Sequence, residues 1–385
     1  MKWTPVGYAA FPPGPPPGPP LAPMPRGTTK AAQAADTTST TAQAEDKTSY
    51  LTYSAEWQPL LSAKASADGG GLTTWECPDL FLLPSASRVD RSSSPLWVLK
   101  ASGGLTPASK AHGVDFWSTG TFHETNGSFV HGANSLALPS DLQRVDFGDF
   151  YASKTFFDPV SMERVIFGWV MEEAGAPLLD WRSMQSTPRT IREDPLFPNR
   201  LVFSPVDAML SLRAIPPVAA LRNVTLAPYS FSPQLPLGVP HLDLTLTFQP
   251  PFATGATFGV AVEHGGLANA TITVLADDAC GASVPLKAIP TQCANLTVGA
   301  HHGPFKFARD QPLDLRVLVD ASIIEAFAAG GRAAVTARGY EIGPSLRVGL
   351  LNDGHEALQL LSMEAFAMHK AVGLELDDLR SRAHE

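Results

Sequence analysis

Between residues 80 and 171 short apolar segments follow one another without a helical period: LFLL, PLWVLKAS, VDFWSTGTF, FYASKTFF and RVIFGWVM. Each is rich in aromatic and β-branched residues and is bounded by Gly, Pro, Ser or Asp. Segments this short bury apolar surface only by pairing side by side, so the chain is expected to be all-β: a sandwich, barrel or propeller. The pattern changes near LVFSPVDAMLSLR, residues 201–213. Beyond it, HLDLTLTFQ, ATFGVAVEH, ATITVLA, LDLRVLVD, SIIEAFA, AAVTARGY and LRVGLLND alternate apolar and polar residues. That alternation suits strands with one buried face in a two-sheet sandwich. Two β-domains are expected, 50–205 and 223–371, with a linker at 206–222 and a tail at 372–385.

Residues 1–49 are of another kind. Positions 12–20 hold seven prolines and two glycines, and a small, polar, low-complexity run follows. Such a run buries too little apolar area to offset its ordering entropy, so disorder is expected there. It reads as a linker or as a proline-rich ligand. The rest has ample material for a core, with 44% hydrophobic residues overall. The net charge of −9 leaves no polybasic footprint for nucleic acid. No apolar run reaches the roughly 18 residues that a membrane helix requires.

Three cysteines occur, Cys77, Cys280 and Cys293. The last two read either as a disulfide closing a short loop, worth about 3 kcal/mol, or as separate thiols. Three cysteines so placed do not make a metal site. Four of the seven asparagines, Asn126, Asn223, Asn269 and Asn295, open an Asn-x-Ser/Thr triplet. About one would be expected by chance. Sequons and a disulfide together suggest an extracellular, vacuolar or lumenal protein. The first residues carry no apolar signal core, so the natural N-terminus is expected to differ from Met1.

WECPDL, residues 75–80, places a carboxylate between a Trp and a Cys at the head of an apolar strand. Apolar neighbours favour the protonated form of a Glu, which makes it a proton donor. This stretch resembles the acid/base motif of glycoside hydrolase family 32, the invertases, fructan hydrolases and fructosyltransferases. Further segments resemble that family in its own order: PLWVLKAS, VDFWSTGTF, DFGDFYASKTFFDP, RVIFGWVMEE, WRSMQSTPR and LRVLVDASIIEAFAAGGRAAVTARGY. The likeness covers about residues 50–371.

The resemblance implies a five-bladed β-propeller followed by a β-sandwich, and retaining hydrolysis of a fructosyl bond in sucrose or a fructan oligosaccharide. Two carboxylates would do the work, one donating a proton and one attacking. Glu76 would be the acid/base, seated in apolar packing. Asp115 would tune that proton or bind sugar hydroxyls, or be a solvated turn residue. Trp181 would line the sugar pocket or belong to the core. Asp146 and Lys154 would serve blade structure or binding, while Asp320 and Glu325 carry no catalytic role. No metal or organic cofactor is required, because carboxylates and water suffice.

The sequence departs from the family at two places. Neither its Trp-x-Asn-Asp-Pro-Asn-Gly nucleophile motif nor its Arg-Asp-Pro motif occurs before Glu76. REDP at 192–195 and ARDQP at 308–312 come after Glu76, in the wrong order. No residue is therefore assigned as nucleophile, and about two blades are expected to be missing. Three readings follow: a hydrolase represented by an incomplete copy, a sugar-binding relative without turnover, and a remnant that does not fold alone.

Overall fold

The computed structural model describes residues 76–89, 95–103, 113–132 (except 124 and 126), 143–172, 183–275 (except 265), 280, 289–339 (except 321) and 346–369. The expectations for residues 1–49, Asn126, Trp181 and the tail fall outside the described residues.

Two antiparallel sheets open the described chain. The first comprises β1 (Glu76–Leu82), β2 (Trp97–Gly103), β3 (Val114–His123) and β4 (Ser128–His131), in that order, with β5 (Gln143–Arg144) also on β3. The second comprises β6 (Phe150–Asp158), β7 (Glu163–Val170), β8 (Met184–Gln185), β9 (Arg189–Glu193) and β10 (Leu201–Pro205). Its order is β10-β9-β7-β6, with β8 on β7. Each sheet is a four-strand meander, the unit from which a propeller is built. Phe81, Val98 and Trp117 of the first sheet share a core with Phe150, Ile166, Ile191 and Phe203 of the second. The aromatic and branched residues at these positions close the space between the sheets, and each buried side chain of this size contributes about 1.5–3 kcal/mol.

A two-sheet sandwich follows. One sheet runs β11 (Ala219–Leu226), β23 (Leu358–Ala367), β14 (Leu242–Gln249), β19 (Leu313–Asp320), β20 (Ile323–Ala328), β21 (Ala333–Arg338). The other runs β12 (Ser230–Phe231), β22 (Arg347–Asn352), β15 (Thr257–His264), β16 (Gly266–Leu275), β17 (Thr291–Val298), β18 (His301–Ala308), with β13 (Leu235–Pro236) on β22. Alternation decides which side faces in. Leu244, Leu246 and Phe248 are buried while Thr245 and Thr247 between them are only half-buried. β11 begins at Ala219, inside the stretch expected to be a linker. It is an edge strand whose Arg222, Asn223 and Thr225 face solvent, so it lacks the apolar run that marks a central strand.

The sandwich and the second sheet meet through paired backbone and buried charge. The amides of Phe147 and Asp149 donate to the carbonyls of Ala334 and Thr336 at 2.9 and 2.8 Å. Gly148 sits so close that a β-carbon there would lie 1.8 Å from the Thr336 oxygen. The fully buried Arg189 pairs with Asp146 at 2.8 Å and with Glu325 at 2.6 Å, between the rings of Phe150 and Phe327. Arg332 makes a two-pronged contact with Asp194, both arms 2.8 Å. Asp146 and Glu325 thus join the two domains. Lys154 is exposed and donates to the Pro78 carbonyl at 2.8 Å, which ties β6 to β1.

Candidate active site

Glu76 stands at the first position of β1, opposite Ser102 of β2. Ser102 in turn is opposite Asp115 of β3. Glu76, Ser102 and Asp115 therefore lie abreast across three strands. Immediately after Glu76 the register slips, Asp79 being the next residue to pair, with Lys100. Cys77 inside this bulge has φ 45°. A non-glycine residue in that left-handed conformation costs about 1–2 kcal/mol, a strain that clusters where a side chain must be aimed.

Among the described residues, the partner of Glu76 is polar where an apolar seat was expected. Glu76 is exposed at the head of the strand, just before the bulge. Its Oε2 accepts a 2.6 Å hydrogen bond from the Tyr151 hydroxyl. Tyr151 also lies next to a bulge: β6 loses register between Tyr151 and Lys154, and Ala152 has φ 49°. The Tyr151 ring packs against Gly113, where a β-carbon would lie 2.1 Å from the ring. Burial, and after it the hydrogen bond and charge of Glu76, hold the phenol well above its ordinary value of 10. It therefore stays a donor throughout the neutral range.

Beneath this pair lies a buried ion pair. Lys100 Nζ is 3.1 Å from Asp115 Oδ2, with side chains 2% and 0% exposed. Burial pushes the Lys100 ammonium down, and the Asp115 charge partly offsets that. Asp115 Oδ2 also accepts the Ser153 amide at 2.8 Å. Asp115 is thus no solvated turn residue: it serves Lys100 and β6 from inside the protein. Asp79 completes the junction by accepting the Thr155 amide at 2.9 Å and the Thr155 hydroxyl at 2.6 Å. Lys100 and Tyr151 were not singled out from the sequence. A lysine inside an apolar strand and an aspartate inside a neighbouring one were the available signal.

The remaining expected positions lie elsewhere. Cys280 and Cys293 are bonded, with Cα atoms 5.7 Å apart, on the sandwich. Asn223 is exposed on β11, Asn295 is half-buried on β17, and Asn269 belongs to β16. What the described residues assemble is one carboxylate, exposed and backed by a phenol donor, over a buried charge pair. Such a group can deliver and recover a proton at a bound oxygen.

Comparisons with known proteins identify the family. The model of the glycosyl hydrolases family 32 N-terminal domain matches residues 38–205, and that of the family 32 C terminal matches residues 227–366. An acid beta-fructofuranosidase of Phaseolus vulgaris is 28% identical over 351 residues, covering 78% of this chain and 52% of the relative. A vacuolar acid beta-fructofuranosidase 2 of a Rosa hybrid cultivar is 28% identical, covering 67% and 46%. The chain spans about half the length of these relatives. Fructan 1-exohydrolase IIa of Cichorium intybus superposes with a TM-score of 0.62 at 25% identity, covering 79% of this chain and 63% of that one. A point variant of that enzyme has been solved in complex with 1-kestose.

Proposed function

The chain belongs to glycosyl hydrolase family 32, and from that premise we propose that it acts on β-fructofuranosidic bonds in sucrose or a fructan, with Glu76 as general acid/base. The observation that carries this is the 2.6 Å hydrogen bond between the Tyr151 hydroxyl and Glu76. An exposed carboxylate beside a bulge, oriented by a donor, can protonate a leaving oxygen and later draw a proton from water. Asp115 acts on that group through Lys100 and β6 rather than by touching sugar, and Trp181 is proposed as a wall of the sugar pocket. Retention of configuration requires a second carboxylate 5–5.5 Å away, by the usual rule of about that spacing.

A second reading rests on the same pair, since an exposed carboxylate and a phenol can hydrogen-bond sugar hydroxyls without any chemistry. It is a relative that binds sucrose or fructan without turnover. Fructose release from sucrose, inulin and levan, measured beside calorimetric binding, separates the two. The hydrolase reading expects release that drops about 10²–10⁴-fold in Glu76→Gln. Binding with no release, unchanged in Glu76→Gln, would establish the second. Extracellular or vacuolar residence is proposed with either, supported by the Cys280–Cys293 bond, the sequons and the vacuolar relative.

A further inference from the structure

We propose that Lys100 is the positioning residue of this site: its buried ammonium fastens together the two bulges that present Glu76 and Tyr151. The proposal rests on the reading of Glu76 as acid/base, and it gives one side chain the task of setting the geometry between acid and phenol.

The two bulges match each other. Each follows directly on the working side chain, Glu76 in β1 and Tyr151 in β6, and each contains a left-handed residue that is not glycine, Cys77 or Ala152. A bulge removes a residue from the strand ladder and leaves its backbone groups in need of other partners. Lys100 Nζ supplies them on both sides. It donates to the Cys77 carbonyl at 3.4 Å in the first bulge and to the Ser153 carbonyl in the second. Asp115, the counter-charge of Lys100, accepts the Ser153 amide. The second bulge is therefore gripped by its N–H and its C=O at once. Ser102 Oγ accepts a further hydrogen bond from Nζ at 3.1 Å.

Register places this clamp under the carboxylate. Lys100 and Ser102 are two apart on β2 and so share a face. Ser102 is the partner of Glu76 on one side and of Asp115 on the other. A compact ammonium fans three N–H groups towards acceptors on three different strands, which a planar guanidinium cannot do from the same point. A methionine fills the volume and offers no donor.

The test labels the protein with 3-fluorotyrosine and follows its ¹⁹F spectrum with pH. Of six tyrosines, Tyr151 is identified by the resonance lost in Tyr151→Phe. Lys100→Met leaves Asp115 without its partner and risks the fold. Lys100→Met/Asp115→Asn removes both charges together, and Asp115→Asn alone weakens the grip on β6. Because the Asp115 charge by itself raises the phenol, the double variant carries the test: in it the Tyr151 resonance is expected to ionise at lower pH than in the parent, moving towards its position in Glu76→Gln. The kcat for fructose release is expected to fall about tenfold or more with KM nearly unchanged, and Lys100→Arg is not expected to restore either readout. A cooperatively folded double variant whose Tyr151 titrates as in the parent overturns the proposal, since Lys100 would then only stabilise the core. Unchanged fructose release in Glu76→Gln would remove the acid/base assignment instead, and the ¹⁹F titration would still decide whether Lys100 positions the pair.

Discussion

Tyr151 bears most directly on how Glu76 works. Its ionisation is raised above 10 by burial first and by Glu76 second. A group whose folded value is raised lends stability that is complete below its unfolded value and is lost as pH climbs towards the folded one. Unfolding free energy should therefore fall with pH above about 10 more steeply in the parent than in Tyr151→Phe, as read by urea denaturation at successive pH values. Lys100→Met carries a different expectation. It strands a carboxylate that is 0% exposed, and breaking a buried pair in this way costs about 3–5 kcal/mol. The double variant with Asp115→Asn should recover much of that loss, measured in the same denaturation series. The family likeness around Glu76 was recognisable in the sequence, because a local run of six residues carries it. The partners of Glu76 were not. Tyr151 lies 75 positions away, and only the fold brings its hydroxyl to 2.6 Å.

Strands were recognisable wherever period and burial agreed. β14 shows it best: LDLTLTFQ alternates, and so does its burial. β23 was missed for a physical reason. Its register against β14 slips between Thr247 and Phe248, so Leu361 has no place in the ladder and the alternation changes phase midway. β17 was missed because buried Gln292 and Cys293 stand where an apolar face was sought. Its disulfide to Cys280 restrains a loop spanning 13 residues, and reduction is expected to remove about 3 kcal/mol, seen as a lower thermal midpoint in the presence of reductant. At the junction of 145–149 with β21 the backbone approach leaves no space for a side chain. Gly148→Ala should force the Thr336 carbonyl away and destabilise by several kcal/mol, about the cost of a clash with backbone plus a lost pairing.

The docking of the sandwich on the second sheet was the part least visible in the residues, since each charge in it looks like surface until its partner is known. Glu325 reads as a polar residue in an apolar strand, yet it is 0% exposed and bonded to Arg189 and to the Thr187 amide. Buried charge shared between two domains makes their unfolding one event. Calorimetry of the parent should show a single transition, and Arg189→Met, which leaves Asp146 and Glu325 unpaired, should lower it sharply or split it in two. The same arginine has a consequence for descent. The groups that must fit one another are divided between residues 146–194 and residues 325–338, on either side of a connector near 206. A crossover in that connector would bring together halves whose buried acids and bases were selected in different lineages. Chimeras of this chain with a relative are expected to inherit a mismatch at the seam unless both stretches come from the same parent.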